Sequence, residues 1–169
     1  MTEHEYFMAK AVEQARNALA ANEFPVGCVI AYQGEIIASG FRSGSADETP
    51  NEIDHAEITA IRHLGKIGQS IDRSRASLYC TMEPCLMCFA AILLSGIGEI
   101  VYAYEDAMGG GTNCDLSRLS PLYRNRRIRI VPNILRNESL KLFKAFFANP
   151  QNPYWKGSLL AEYTLSQLC

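Results

Sequence analysis

Apolar residues Phe7, Ala11, Ala15, Ala18 and Leu19 recur at helical spacing between Glu3 and Ala21, with Lys10, Glu13 and Arg16 falling between them. This spacing predicts an amphipathic first helix. Asn22-Glu23-Phe24-Pro25 breaks it. The apolar run Val26 to Tyr32, the turn signal Gln33-Gly34 and a second run, Glu35 to Phe41, read as a β-hairpin. Arg42 to Ile53 is polar and therefore a loop, after which Ala56, Ile58, Ala60, Ile61 and Leu64 mark a helix that ends at Gly65. Ala76 to Met82 predicts a third strand, Cys85 to Ser95 a helix with almost no polar residue, Glu99 to Tyr104 a fourth strand and Ile128 to Val131 a fifth. Two helical stretches follow, Glu138 to Ala148 and Pro153 to Gln167, separated by Asn149-Pro150-Gln151-Asn152-Pro153. Strands alternating with helices, one of them apolar all round, imply an α/β fold with a sheet covered on both faces. No linker or repeat divides residues 1–169, so a single domain is expected.

With 169 residues, 48% of them hydrophobic, the chain can bury about two-thirds of its unfolded surface without disulfide staples. Charged residues make up 20%, and 16 Lys+Arg against 18 Asp+Glu give a net charge of −2. That balance argues against a disordered chain and against a globally basic nucleic-acid binder. There is no run of 18 apolar residues and the start, Met1-Thr2-Glu3-His4-Glu5, is acidic, so a cytoplasmic protein without membrane contact is expected. Its six cysteines should then be reduced. Cys28 and Cys80 lie inside apolar runs and read as buried thiols, whereas Cys114 and Cys169 receive no role.

The chemistry is concentrated in His55-Ala56-Glu57, which opens one helix, and Pro84-Cys85-Leu86-Met87-Cys88, which opens another. Cys85 and Cys88 share a helical face, and His55 completes three ligands whose softness favours zinc over magnesium or calcium. Three protein ligands leave a fourth tetrahedral position for water, whose pKa zinc lowers toward about 7. Glu57, two residues after a ligand, is placed to carry protons from water to a ring nitrogen and then to a departing amine. His-x-Glu followed by Pro-Cys-x-x-Cys is an established signature of zinc nucleobase deaminases, and all five positions are matched here.

These motifs resemble those of the cytidine and deoxycytidylate deaminase superfamily, most closely the branch of bacterial tRNA adenosine deaminases and free-base guanine or cytosine deaminases. The resemblance runs from about Glu5 to Val131 and includes Phe24-Pro25-Val26-Gly27, the run Leu78 to Cys88, and Ile100-Val101-Tyr102 with Asp106 downstream. It implies a three-layer α/β/α fold with a five-stranded mixed sheet, one zinc per subunit and a dimer or larger assembly. It also implies that the Ala56 N–H and the Glu83 carbonyl face the substrate, and that C-terminal aromatics such as Trp155 or Tyr154 cover the pocket from segment 150–169, although a simple core anchor is the favoured reading of these two residues. The apolar stretch Leu86 to Leu94 agrees with a homodimer.

Where the branch has Gly-aromatic-Asn after the second strand, this chain has Gly40-Phe41-Arg42. Arg42 offers donors and a fixed charge and cannot accept, which would suit a carboxylate, phosphate or carbonyl-rich ring, unless it is a solvated surface charge. Phe24 joins it as a candidate substrate contact. tRNA-acting members carry basic residues where this chain has Glu105 and Met108, so a small aminated heterocycle is the favoured substrate. Adenosine in tRNA is the alternative, supported by Arg118, Arg124, Arg126, Arg127, Arg129 and Arg136 in a stretch without acidic residues. Against it, Arg127 and Arg129 alternate with Ile128 and Ile130 and would share one strand face, which reads more simply as a solvated surface.

Other readings of the same residues stay open at this point. Asp54 and Glu57 have capping-box spacing, Cys85-x-x-Cys88 could be a redox pair, and a non-catalytic zinc-stabilised module would need a fourth ligand from Cys114, His63 or His4. Gly109-Gly110-Gly111 reads as a flexible turn and Phe143, Phe146 and Phe147 as core.

Overall fold

The computed structural model describes residues 1–67 and 71–168; Cys169 lies outside them. Its elements are α1 (Glu3–Ala20), β1 (Gly27–Tyr32), β2 (Glu35–Phe41), α2 (Ala56–Gly65), β3 (Ser77–Met82), α3 (Leu86–Ser95), β4 (Glu99–Tyr104), α4 (Pro121–Arg124), β5 (Arg129–Val131), α5 (Arg136–Ala148) and α6 (Leu159–Ser166). The five strands form one sheet in the order β2-β1-β3-β4-β5. β1 is antiparallel to β2 and β3, whereas β3, β4 and β5 are parallel, so the sheet is mixed.

Both faces of the sheet are covered, which is why β1 and the later parts of β3 and β4 are buried without alternation. Val29, Ala31, Tyr79, Val101 and Ala103 face Phe7, Met8 and Ala11 of α1. Cys28, Ile30, Leu78, Cys80, Met82 and Ile100 belong to the larger core with Ala56, Ala60 and Leu64 of α2 and Phe89, Ile92 and Leu93 of α3. α5 lies on the α1 side, where the Ser139 hydroxyl donates to the Thr81 carbonyl at 2.5 Å. Phe143 and Phe146 are buried and Phe147 packs against them, as their spacing predicts. Two glycines set how closely the layers approach. A methyl at Gly27 would meet the Ala11 carbonyl oxygen at 2.2 Å, and one at Gly40 the Ala56 carbonyl oxygen at 2.5 Å.

The last expected helix is shorter than its apolar pattern suggests. The Asn152 side chain accepts from the Tyr154 N–H at 3.1 Å, and Trp155 (φ 54) and Gly157 (φ 70) are left-handed, so no helix forms before Ser158 caps α6 through the Ala161 N–H. β5 likewise starts at Arg129, so Arg127 lies outside the strand and shares no face with Arg129. Arg129 is paired with Glu99 at 3.1 Å.

Glu23 shapes the loop that leads into α2. Its carboxylate accepts from the N–H groups of Gly44 (2.9 Å), Ser45 (2.6 Å) and Ala46 (3.1 Å) and from the Ser45 hydroxyl, whose oxygen in turn accepts from the Phe24 N–H at 2.7 Å. Burial alone would raise the Glu23 carboxyl, but these bonds outweigh it and hold the group below its ordinary value. A depressed carboxyl stabilises the fold above the unfolded pKa and loses that contribution as pH falls through the folded one. Glu23→Gln is therefore expected to cost about 1–2 kcal/mol at neutral pH. In urea unfolding at several pH values, the difference from the parent should close as pH drops below about 4; a gap unchanged in acid would show that the charge does not hold the loop.

Candidate active site

His55 is the N-cap residue of α2 and Cys85 the N-cap residue of α3, so both helices begin at one point beside the C-terminal end of β3. Pro84 and Cys85 follow Met82-Glu83 out of the strand, and Cys88 falls in the first turn of α3. Cys85 Sγ and Cys88 Sγ lie 3.6 and 3.5 Å from His55 Nδ1. A tetrahedral zinc with Zn–S near 2.3 Å and Zn–N near 2.05 Å sets its S···N edges at about 3.6 Å, so the three atoms already have the spacing of a zinc face. Among the described residues, His55, Cys85 and Cys88 are the group of such side chains whose ligand atoms converge, within 4.8 Å of one another. Among the described residues no further protein ligand completes a structural site: Cys114 lies in the loop against α3, His63 Nδ1 bonds the Ser39 carbonyl at 2.7 Å, and His4 meets the Tyr79 hydroxyl.

The contact with Cys88, together with His55, holds the Cys85 thiol down at about 4 against burial, while Cys85 and burial push Cys88 up. A bound cation would favour the thiolate form of both. Burial alone would lower His55, but its contact with Cys85 raises it. Cys28 and Cys80, directly opposite each other on β1 and β3, are fully buried as expected, and all five described cysteines are free.

Glu57 is 3% exposed, and burial pushes its carboxyl up. One of its oxygens, Oε2, is buried without a hydrogen-bond partner. A capping role does not explain it, because the α2 N-terminus carries no side-chain cap and Asp54 bonds Asn51 and Arg62 instead. An orphaned carboxylate oxygen next to a three-ligand cluster is what a site for zinc and water requires.

A cavity of about 160 Å³ opens beside this cluster. Of the sequence candidates, His55, Ala56, Glu57, Glu83, Cys85, Arg42, Phe24 and Trp155 all line it, whereas Cys88 lies behind them. The Glu83 carboxylate is turned away to the Thr112 hydroxyl and the Asp106 and Thr112 N–H groups, which leaves its backbone to the cavity. Gly109-Gly110-Gly111 is more than a flexible turn: Gly110 bridges Cys85, the Gly111 N–H donates to the Pro84 carbonyl at 2.9 Å, and a methyl at Gly111 would strike the Leu86 nitrogen at 2.6 Å. The C-terminal aromatics divide their work. Tyr154 is buried against Phe24, while Trp155 is 42% exposed at the cavity mouth. Asp106, Met108 and Leu160 also line the cavity, as does Glu52, which was not singled out, since a loop position leaves no periodic signal.

Part of the arginine-rich segment lies elsewhere. Arg126 and Arg127 are exposed before β5, at the end of the sheet where Ser77, Glu99 and Arg129 are in register, whereas the cavity lies past Met82 and Tyr104. A six-residue strand separates the two ends by roughly 17 Å. Arg136 is spoken for by Glu105.

A buried carboxylate facing a His-Cys-Cys cluster at the end of a mixed sheet defines a zinc-dependent hydrolase centre. Residues 1–104 match the cytidine and deoxycytidylate deaminase zinc-binding region, and the chain belongs to that family. It is a zinc-dependent hydrolytic deaminase. Among relatives, the tRNA-specific adenosine deaminase of Bacillus subtilis (strain 168) is 33% identical over 148 residues, covering 87% of this chain and 90% of the relative. A structure from studies of A-to-I editing by tRNA:A34 deaminases at the wobble position of transfer RNA superposes with a TM-score of 0.65 at 30% identity, over 81% of this chain and 98% of the other. The guanine deaminase of Nitrosomonas europaea shares the fold, with a TM-score of 0.64 at 22% identity over 84% and 83% of the two chains. Among the described residues no helix is long and apolar enough to cross a membrane.

Proposed function

We propose that the enzyme deaminates a free aminated heterocycle, a purine- or pyrimidine-type base or its small derivative, converting the amine-bearing carbon to a carbonyl with release of ammonia. The observation that carries this reading is the cavity: it measures about 160 Å³, well below the roughly 300 Å³ of drug-sized sites, and Tyr154, Trp155 and Leu160 wall it. Its lining includes Glu52 and Asp106, an unfavourable setting for a phosphate group.

His55, Cys85 and Cys88 hold zinc, which supplies a polarised water at neutral pH. Glu57 takes a proton from water at its free Oε2 and delivers it to the ring nitrogen next to the reacting carbon, then takes a second proton from the hydroxyl added to that carbon and delivers it to the amine, so that the carbonyl forms as the C–N bond breaks and ammonia leaves. The Ala56 N–H and the Glu83 carbonyl orient the ring edge, Phe24 packs against its apolar side, and Trp155 covers it. Residues 1–169 act as one deaminase domain in which 150–169 forms the cover. Leu86 and Leu94, exposed on α3, support a homodimer built on that helix.

Deamination of adenosine in tRNA is the second reading, favoured by the likeness to tRNA-specific adenosine deaminases over most of both chains. Ammonia release across guanine, cytosine, adenine, their nucleosides and monophosphates, and a tRNA anticodon stem-loop separates the two. Release from a free ring is the expected result. Release from the stem-loop alone would replace the first reading by the second.

A further inference from the structure

Glu83, Pro84 and Cys85 connect the end of β3 to the start of α3 and belong to neither element, so one of the three metal ligands stands on a short connector. Proline fixes its own φ and confines the residue before it to extended backbone, which makes such a connector stiff. A stiff connector passes a shift at Glu83 on to the Cys85 sulfur. Cys88, by contrast, is set by the first turn of α3.

The connector is held from outside by the loop that follows β4. The Glu83 N–H donates to the Tyr104 carbonyl at 2.7 Å, the Gly111 N–H donates to the Pro84 carbonyl at 2.9 Å, and Gly110 and Cys85 form an antiparallel bridge. The Glu83 side chain closes this arrangement. Glu83 is 6% exposed, and its carboxylate accepts from the Asp106 N–H (3.2 Å), the Thr112 N–H (3.3 Å) and the Thr112 hydroxyl. Two of these donors belong to Thr112, itself buried, which is not among the residues lining the cavity. All three are neutral dipoles, and a buried carboxylate deprived of one has to turn toward another donor or toward water. The fit is close, since a methyl at Gly110 would come to 2.5 Å from that carboxylate.

We propose that Thr112 is a positioning residue for the metal site. Acting through Glu83, its hydroxyl holds the connector in the register that places Cys85 Sγ 3.6 Å from His55 Nδ1. This rests on the zinc reading of His55, Cys85 and Cys88 and adds a determinant of metal affinity from a loop on the far side of β4. Groups that orient a metal's ligands without touching the metal are worth about 10- to 100-fold in affinity.

The test measures zinc affinity of the full chain by competition with a chromophoric chelator. Thr112→Val, which keeps the shape of the side chain and loses the hydroxyl, should bind zinc about 10- to 100-fold more weakly, and Thr112→Ser should restore most of that loss. Glu83→Gln should weaken binding as well, and the double variant should fall no more than about threefold below the weaker single one, as for two residues acting through one contact. In cobalt-substituted protein the thiolate-to-metal absorption should shift in Thr112→Val and return in Thr112→Ser. A merely structural contact would lower the melting temperatures of metal-free and metal-loaded protein alike and move neither affinity nor spectrum. Affinity and spectrum unchanged in Thr112→Val, no rescue by serine, or losses that add in the double variant would each overturn the proposal. Thr112→Ala serves if the valine variant does not fold, and failure of both to fold would assign the hydroxyl to folding and overturn it too. A parent chain that binds no zinc sinks the reading of the cluster, whereas parent-like affinity in every variant sinks only the role of Thr112. Ammonia release, scored separately, bears on the deaminase reading alone.

Discussion

Glu57→Gln is expected to lower ammonia release by roughly a hundred- to ten-thousand-fold, the range for removing a positioned general acid–base group. Glutamine keeps the shape of the buried side chain and its packing in the first turn of α2, so zinc content and melting temperature should stay close to those of the parent. What it lacks is an oxygen that can take up a proton and release it again. The orphaned Oε2 makes the prediction sharp, because a carboxylate engaged in capping or an ion pair would have shown its partner. Steady-state rates with metal analysis of the same samples check it. Activity within tenfold of the parent, with zinc retained, would mean that another group moves the proton.

Cys85→Ala is expected to empty the metal site and abolish turnover. One of three converging ligand atoms is removed, and the remaining His55 and Cys88 cannot hold zinc against dialysis. Because the ligands come from segments 30 residues apart, the metal also ties α2 to α3. At a free zinc level a hundred times its Kd, bound metal contributes about 2.7 kcal/mol. For a chain of this size that corresponds to roughly 5–10 °C in melting temperature. Parent protein treated with a chelator should melt like the variant, and the chelator should leave the variant unmoved. A variant that still binds one zinc per chain would show that the cluster is not the site.

The metal ligands and Glu57 were legible because their chemistry depends on local spacing: two helix starts, each with a fixed offset between functional side chains. The strands and most helices were legible through periodicity, down to a residue at several ends. The start of the C-terminal helix was not. Tyr154, Trp155, Leu159, Leu160 and Tyr163 suit a helical face, yet Asn152 and two left-handed residues delay helix formation to Leu159, and this unwound stretch is what brings Trp155 to the cavity. Arg42 was visible as a departure from the family pattern, but its burial was not, because it depends on Tyr154, more than a hundred residues away, and on Glu52 in an irregular loop. The family's implied mixed sheet is present strand for strand, whereas Arg126 and Arg127 of the segment that in sequence could hold RNA lie at the opposite end of the sheet from the cavity, and Arg136, at the near end, is paired with Glu105.

That separation gives the molecule a handedness toward charged supports. Adsorbed on an anionic matrix through Arg126 and Arg127, the protein would lie with those strand starts against the matrix and the opening past Met82 and Tyr104 toward the liquid, so immobilised enzyme would keep its entrance clear without any engineered tether.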